Sequence, residues 1–303
     1  MIRIHGLGMV DTVVVTGALG LAGRWIVDSL RTEYEVVAVD QRLPDSLDVG
    51  GVHFQATDLT DQGKAWETVL DADPETVIHL ANIPHEENHP GGQVFENNAL
   101  STFHVLEAAG RAGADIIWAS SETVYGTHWP EPELPEYLPV DEEHPVAPWN
   151  GYETSKLAGE ASAERVANAY NVSVNSMRPS WIQIPGEYVI TEIREAFTIE
   201  DAGPMGNYWS YVDIRDVVAF VEAAVQTPID GHEVFNIFGP DNFLGIDTAV
   251  ALEAGFGDLP KRCDLAGDDC AFSTEKASRL LDWEPVHSWK TAESESVTAP
   301  TFE

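Results

Sequence analysis

The chain has 303 residues, 44% of them hydrophobic, and carries 51 acidic side chains against 16 basic ones, for a formal net charge of −35. A charge of this sign and size repels nucleic acid phosphates and anionic lipids, so neither is expected as a partner. No apolar stretch approaches the roughly 18 residues that span a bilayer, and the N-terminus lacks the pattern of a signal peptide. We therefore expect a cytoplasmic protein that does not enter a membrane.

The acidic surplus also indicates the solvent that suits the protein. Repulsion among so many carboxylates is screened best at high ionic strength, since the Debye length falls to about 3 Å in 1 M salt. We interpret the charge as the mark of a halophilic host with high internal salt. The two cysteines, Cys263 and Cys270, are too few to cross-link a chain of this length, and in a reducing cytoplasm we expect free thiols.

Short apolar runs alternate with helical patterns through the first half of the chain, which is typical of βαβ units. In chain order, the sequence predicts strands at 12–16, 35–39, 52–55, 76–80, 115–119 and 172–177, and helices at 21–31, 61–70, 92–113 and 152–170. Runs such as TVVV and VVAV fit a parallel sheet that is buried on both faces. Beyond residue 178 the alternation weakens, and we predict helices at 187–199, 214–226 and 274–281 and a strand at 234–237.

A glycine-rich segment joins the first predicted strand to the first predicted helix. It reads Thr16-Gly17-Ala18-Leu19-Gly20-Leu21-Ala22-Gly23, a GxxGxxG spacing. The glycines allow a tight turn, and the following helix N-terminus offers free N–H groups and a partial positive charge to a pyrophosphate. The spacing alone would also suit a turn without a ligand. Asp40, at the end of the second strand, favours a dinucleotide site because an acid there accepts hydrogen bonds from the ribose hydroxyls.

The cofactor is predicted to be NAD or NADP. Asp40 favours NAD, since a 2′-phosphate would face a carboxylate, but Arg24 and Arg42 would each compensate a phosphate and leave NADP open. Asp58 and Leu59, after the third strand, would lie beside the adenine; the alternative for Asp58 is a helix cap. The predicted cofactor-binding residues are Gly17, Leu19, Gly20, Leu21, Gly23, Asp40, Arg42, Asp58, Leu59, Leu80, Ala81, Asn82, Asn98, Tyr152 and Lys156.

These features together predict an α/β fold, a Rossmann-type doubly wound parallel sheet with a small C-terminal annex. We assign residues 1–178 to a dinucleotide-binding Rossmann domain. Residues 179–303 are assigned to a small substrate-binding region that is interleaved with the Rossmann core.

A tyrosine and a lysine, Tyr152 and Lys156, lie four residues apart and so share one face of a predicted helix. A phenol with a pKa near 10 is a poor base at pH 7. A cation one turn away, together with a positive nicotinamide ring, stabilises the phenolate and brings its pKa towards the working pH. Ser121, at the carboxyl end of the fifth strand, lies where ligands bind in such sheets, and Asn98 lies in the preceding helix.

The whole set resembles the extended short-chain dehydrogenases/reductases, in particular the NAD-dependent epimerase/dehydratase family. The motifs that carry the resemblance are the glycine segment, Asp40, His79-Leu80-Ala81, Asn98, Ser121 with Val124-Tyr125-Gly126, Tyr152 with Lys156, Arg178-Pro179-Ser180 and Tyr211-Val212-Asp213. The segments 272–277 and 281–285 also look like the C-terminal helix and tail of that family. The resemblance implies a homodimer or homotetramer, because members of the family often associate through the helices that hold Asn98 and Tyr152.

The resemblance also implies roles for the central residues. Tyr152 would be the general base or acid, Lys156 would lower its pKa and hold the nicotinamide ribose, and Ser121 would hydrogen-bond the reacting oxygen. Asn98 is the fourth predicted catalytic residue and is also predicted to contact the cofactor. It would support the proton relay or the helix. The predicted substrate contacts are Asn82, Ser121, Glu122, Tyr152, Arg178, Ser180 and Trp209.

Three features discriminate among the reactions of the family. The position before Val124-Tyr125-Gly126 is Thr123, where dehydratases of the family carry a glutamate. Between Arg178 and Tyr211 the only base is Arg194, which leaves little to bind a nucleotide diphosphate. The compact C-terminal half looks like that of sugar 1-dehydrogenases, such as uronate dehydrogenases and the pentose dehydrogenases of salt-loving archaea.

We therefore expect NAD(P)-dependent oxidation of a small neutral sugar, such as L-arabinose, at its anomeric carbon to give a lactone. The alternatives are a nucleotide-sugar 4-epimerase that retains its NAD and a non-catalytic dinucleotide-binding scaffold. The string at 85–89 matches the HExxH pattern of zinc proteases. Pro84 and Pro90 bracket it, so we expect a loop near the substrate and no metal site.

Overall fold

The computed structural model describes residues 11–47, 49–84, 86, 88–127, 129–300 and 302. The strands in this part of the chain are β1 (Thr12–Thr16), β2 (Glu35–Asp40), β3 (Val52–Ala56), β4 (Thr76–His79), β5 (Asp115–Ala119), β6 (Val174–Pro179), β7 (Ile182–Gln183), β8 (Val212–Asp213) and β9 (His232–Ile237). The α-helices are α1 (Leu21–Leu30), α2 (Gln62–Ala72), α3 (Gly91–Ala112), α4 (Gly151–Tyr170), α5 (Ile190–Ala196), α6 (Ile214–Gln226), α7 (Thr248–Phe256), α8 (Glu275–Leu281) and α9 (Trp289–Ala292). Short 3-10 helices occupy Glu122–Tyr125 and Ile199–Asp201.

The central sheet contains seven of these strands, all parallel, in the order β3-β2-β1-β4-β5-β6-β9. The chain winds outward from β1 in one direction and from β4 in the other, so the strand order reverses between these two neighbours. Their last residues, Thr16 and His79, are paired in register. Ligands of open α/β sheets bind in the crevice outside such a reversal point. The predicted Rossmann-like α/β fold is confirmed.

The core lies on both faces of this sheet because side chains of a strand alternate between the faces. On β1, Val13 and Val15 point to the layer formed with α1 and α6, whereas Val14 belongs to the layer formed with α3 and α4. All three valines are buried. This double burial explains why the strands read as continuous apolar runs.

The second half of the chain first adds a helix and a strand to the sheet and then forms a separate region. Helix α6 packs in the same layer as α1, and β9 forms the edge of the sheet beside β6. The remaining C-terminal segments surround a separate cluster rich in aromatic side chains, among them Tyr211, Phe238 and Phe272. This cluster adjoins the carboxyl end of β6 through the small sheet of β7 and β8.

Several predicted elements differ from those observed. The strand predicted at 172–177 runs instead as β6, over Val174–Pro179, and the helix predicted at 187–199 is confined to α5. Helix α7 was not predicted, because its apolar residues surround the helix and give no single stripe: Val250 is exposed and its neighbour Ala251 is buried. No helix in the described part of the chain has the length and apolar character to cross a membrane.

Candidate active site

The glycine segment forms a tight turn between β1 and α1. Gly17 has a φ of +68°, and a Cβ there would lie 2.7 Å from the backbone nitrogen of Ala81 in the loop after β4. A Cβ on Gly23 would collide with the Gly17 carbonyl oxygen, so the helix can pack against the turn only through glycine. Gly20 caps α1 without a side-chain hydrogen bond, and the first turn of α1 holds no acidic residue. The exposed N–H groups and helix dipole therefore suit a pyrophosphate.

Asp40 connects the end of β2 to this turn. Its Oδ2 accepts the backbone N–H of Leu19 at 3.0 Å, and its Oδ1 accepts that of Gln41 at 2.7 Å. The carboxylate is thereby held beside the glycine turn, in the position expected of a group that binds the adenosine ribose. Arg42 is exposed two residues further on, and Leu21, in the first turn of α1, is exposed as well.

Asp58 and Leu59, the predicted adenine contacts after β3, differ in their surroundings. Asp58 accepts hydrogen bonds from the backbone N–H and hydroxyl of Thr60, at 3.0 and 2.7 Å, and these bonds lower the pKa of its carboxyl. The cap of α2 is Asp61, whose side chain accepts the Lys64 N–H, so Asp58 does not serve as that cap. Leu59 is buried, and its carbonyl oxygen accepts a hydrogen bond from His104.

A buried polar chain that the sequence did not reveal crosses the reversal point of the sheet. Thr16 Oγ1 lies 2.7 Å from His79 Nδ1, and His79 Nε2 lies 3.2 Å from Thr102 Oγ1. Burial, with a smaller contribution from the charge of Lys156, lowers the pKa of His79 to about 3. The imidazole is therefore neutral at pH 7 and ties β1, β4 and α3 together. In the sequence, the only sign of this polar chain is that the apolar strands β1 and β4 each end in a polar residue, Thr16 and His79.

The loop after β4 is fixed from α3. Asn98 is buried; its Oδ1 accepts the Ile83 N–H at 2.8 Å and its Nδ2 donates to the Ile83 carbonyl at 3.0 Å. Asn82 Nδ2 donates to the Leu80 carbonyl at 2.7 Å. Asn98 thus holds the segment of Leu80, Ala81 and Asn82 against the glycine turn, and its polar groups are engaged by the backbone.

Three predicted catalytic side chains meet at the carboxyl end of β5. Ser121 directly precedes the 3-10 helix and is buried, and it lies close enough to the Tyr152 hydroxyl to lower its pKa. Ser121 Oγ also accepts the hydroxyl of Thr123 at 3.1 Å. Lys156, one turn along α4, donates from Nζ to the Ala119 carbonyl at 2.7 Å. Its Nζ lies 5.3 Å from the centre of the Tyr152 ring, within cation–π range.

The protonation states of this group follow from burial. Desolvation lowers the pKa of Lys156 to about 7. Desolvation also raises the pKa of Tyr152 to about 12, a rise that Ser121 reduces and that the charges of Glu122 and Glu153, where these groups are ionised, increase. The protein groups alone therefore hold Tyr152 as a phenol. Additional positive charge beside the ring would favour the phenolate.

A buried carboxyl group borders Ser121. Glu122 is only 3% exposed, and its Oε2 accepts the Ser180 hydroxyl at 3.0 Å. Burial raises the pKa of Glu122 to about 8, against a smaller opposing contribution from the Ser180 bond. The group is therefore largely a neutral acid at pH 7. It presents polar atoms beside Tyr152 without placing a full negative charge there.

Two other predicted substrate residues are engaged by the protein itself. Arg178 pairs with Glu160 through two nitrogens, at 2.8 and 2.7 Å, and donates to the Tyr125 hydroxyl at 2.7 Å. Trp209 is buried in the aromatic cluster, where it meets Phe197 edge to face. The contact of either residue with a substrate stays a prediction, and in the structure both stabilise the walls around the site.

The start of α4 is held from the loop after β4. Glu86 Oε1 accepts the backbone N–H groups of Gly151 and Tyr152, at 2.7 and 3.2 Å. Asn150 caps the same helix through the Glu153 N–H, and Glu153 accepts the Trp149 N–H in return. Glu86 belongs to the HExxH string, of which His85 and Glu87 lie outside the described residues. Among the residues that are described, no cluster of potential metal ligands occurs.

The fold and this arrangement define a class: an α/β enzyme with a dinucleotide cradle and a serine–tyrosine–lysine centre on a Rossmann-like sheet. Residues 13–237 match the model of the NAD dependent epimerase/dehydratase family. The chain belongs to this family, and its cofactor is the nicotinamide dinucleotide that the family name states. The glycine turn and the uncapped N-terminus of α1 fit that cofactor.

The relatives of the chain include both dehydrogenases and epimerases. It is 27% identical to the L-arabinose 1-dehydrogenase (NAD(P)(+)) of Haloferax volcanii over 90% of its own length and 95% of that protein's. A putative UDP-glucose 4-epimerase of Methanocaldococcus jannaschii is 32% identical, over 55% of either chain. A crystal structure of UDP-galactose 4-epimerase superposes with a TM-score of 0.66 and 26% identity, covering 93% of this chain and 98% of the other.

Proposed function

We propose that the protein oxidises the anomeric carbon of a free, neutral aldose to a lactone, with NAD or NADP as the oxidant. The observation that carries this proposal concerns Arg194, the only base between Arg178 and Tyr211. Its guanidinium pairs with Glu293 at 2.9 Å and stacks on Trp289, 4.0 Å from the ring centre. The Glu293 carboxylate therefore offsets its charge, and in the segment between Arg178 and Tyr211 only Nη1 of Arg194, which has no hydrogen-bond partner among the described residues, is left to donate to a nucleotide diphosphate.

The same reasoning applies to Arg178 at the end of β6. Its pairing with Glu160 is almost completely buried, with 5% and 11% of the two side chains exposed. Separating such a pair to bind a phosphate would leave the Glu160 carboxylate buried and unpaired, which is strongly destabilising. A sugar without charge meets none of these costs.

The residues of the site support the following chemistry. Tyr152, as phenolate, takes the proton of the C1 hydroxyl, and Ser121 donates a hydrogen bond that orients the C1 oxygen. Lys156 supplies positive charge to the phenolate across the Tyr152 ring and holds the nicotinamide ribose. When bound, the oxidised nicotinamide would supply the acceptor for the hydride from C1 and a positive charge beside Tyr152. Fixed placement of these groups supplies much of the rate acceleration.

In this proposal Asp40 and the glycine turn hold the adenosine half of the cofactor, and Asn98 supports the loop that flanks it. Asn82, Glu122 and Ser180 supply hydrogen bonds to the sugar, and Trp209 shapes the wall behind them. The end-to-end similarity to an L-arabinose 1-dehydrogenase supports this assignment.

A nucleotide-sugar 4-epimerase is the second candidate, favoured by the superposition on UDP-galactose 4-epimerase. One assay separates the two. The protein is mixed with each of a panel of free pentoses and hexoses and with NAD or NADP, and the absorbance of reduced cofactor is followed. Steady accumulation supports the dehydrogenase. Absence of reduced cofactor, with interconversion of UDP-glucose and UDP-galactose, would overturn it in favour of the epimerase.

A further inference from the structure

Two side chains near the site each bury an oxygen that has no hydrogen-bond partner among the described residues. They are Thr127, through Oγ1, and Asn207, through Oδ1. Both residues are more than nine-tenths buried, with 6% and 7% of their surface exposed. Buried polar atoms are nearly always satisfied by protein, water or ligand. Neither residue was singled out from the sequence.

The two residues belong to loops that touch. A Cβ on Gly206 would collide with the Thr127 carbonyl oxygen, so the two backbones are in direct contact there. Asn207 follows immediately. Its Nδ2 donates to the Ser210 carbonyl at 3.0 Å, and this bond fixes which side of the amide carries the oxygen. The free Asn207 Oδ1 is therefore an acceptor and needs a donor as partner.

This pair of loops borders the catalytic group. Thr127 comes directly after Gly126, which ends the 3-10 helix that Ser121 begins. When it is ionised, Glu122 raises the pKa of the Tyr152 hydroxyl and also that of Tyr208, the neighbour of Asn207. Glu122 therefore lies within electrostatic reach of both hydroxyls, one in the predicted catalytic group and one beside Asn207.

We propose that Thr127 and Asn207 form a subsite that binds a hydroxyl group of the sugar at a distance from the carbon being oxidised. The proposal rests on the function proposed above and specifies its substrate class. Asn207 Oδ1 only accepts hydrogen bonds, so a sugar O–H suits it, whereas a carboxylate or phosphate has no hydrogen to offer. Thr127 Oγ1 donates or accepts in the same contact. The subsite selects neutral aldoses over uronates and sugar phosphates.

The substitution Thr127→Val tests this directly, because valine keeps the shape and removes the hydroxyl. The readout is calorimetric binding of 1,5-anhydropentitols to the protein with NAD present; these pyranoses lack the anomeric hydroxyl and cannot be oxidised at C1. We expect the affinity to fall roughly fivefold to tenfold, as the loss of one net hydrogen bond predicts, and Thr127→Ser to restore it. In the aldose assay KM should rise by a similar factor, with kcat little changed.

The matched control is Thr68→Val, since Thr68 is equally buried but bonds Gln55 and Thr57 at the opposite part of the sheet. It should lower stability and leave sugar affinity unchanged. Equal affinity of Thr127→Val and the unmodified protein would overturn the subsite even if free aldoses are oxidised. Conversely, Thr127-dependent binding without any aldose oxidation would retain the subsite and reject the proposed reaction. Binding of none of the anhydropentitols would reject the subsite as well.

Discussion

The carboxylate of Glu86 accepts the backbone N–H of Tyr152 at 3.2 Å, although the two residues are 66 positions apart in the chain. The same oxygen accepts the N–H of Gly151, the first residue of α4. A negative group at a helix N-terminus is favourable because it meets unpaired N–H groups and the positive end of the helix dipole. Glu86 therefore fixes the start of the helix that carries Tyr152, the proposed catalytic residue.

The substitution Glu86→Ala should lower kcat roughly tenfold with little change in KM, because Tyr152 would lose its fixed position. The cap itself contributes about 1 kcal/mol to stability. The matched control is Asp61→Ala, which removes a side-chain cap from α2, remote from the catalytic group. Asp61→Ala should lower the free energy of unfolding by a similar amount and leave kcat unchanged. Equal kcat values for both variants and the unmodified enzyme would contradict a positioning role.

Tyr152→Phe should lower kcat by a factor of about 10² to 10⁴, the usual contribution of general acid–base catalysis. The phenyl ring keeps the packing, so cofactor affinity, measured by quenching of tryptophan fluorescence, should stay the same. Tyr170→Phe provides the control on the same helix, since Tyr170 hydrogen-bonds Glu107 at the far end of α4. Turnover that survives in Tyr152→Phe would show that another group moves the proton.

Glu122→Gln should change how stability depends on pH. The carboxyl of Glu122 has a pKa of about 8 in the folded protein, above the ordinary value of 4.5 for a glutamate. The folded state then binds more protons than the unfolded state between these values, so this group costs stability as the pH rises from 4.5 to 8. The loss approaches about 1.4 kcal/mol per pH unit.

The measurement is denaturant unfolding of the cofactor-free protein and of Glu122→Gln at pH 5.5, 6.5 and 7.5. The glutamine variant should become more stable relative to the unmodified protein at each step. A constant difference between the two proteins across this range would mean that Glu122 does not take up a proton on folding.

High salt should stabilise the protein. The net charge of −35 makes the compact state repel itself, and added salt screens that repulsion. We expect the thermal midpoint to rise between 0.1 and 2 M KCl by roughly 10 °C or more, given that 1 kcal/mol shifts the midpoint of large domains by a few degrees.

The control for this prediction replaces three exposed acids by their amides. Glu67, Glu200 and Glu253 suit this purpose because they are exposed and remote from the predicted catalytic residues. The triple variant should need less KCl to reach the same midpoint. Full stability of the unmodified protein at low salt would remove the basis for expecting a halophilic host.

The sequence by itself was sufficient for the features that depend on local pattern. Apolar runs on either side of Gly17 predicted the strand, the turn and the helix, because each requires only near neighbours. Tyr152 and Lys156 share a helix face because their spacing matches the helical repeat. The element boundaries moved by a few residues, and α7 was missed because its apolar residues do not form one stripe.

Only the tertiary structure decided which distant groups meet. The pairing of Arg178 with Glu160, the hydrogen bond of Ser180 to Glu122 and the capping of α4 by Glu86 all join separate segments of the chain. Burial sets the pKa of Glu122 and of Lys156, and burial depends on how the layers pack. Hydrogen-bond geometry and desolvation depend on distances of a few ångströms in space, which the order of residues along a chain does not record.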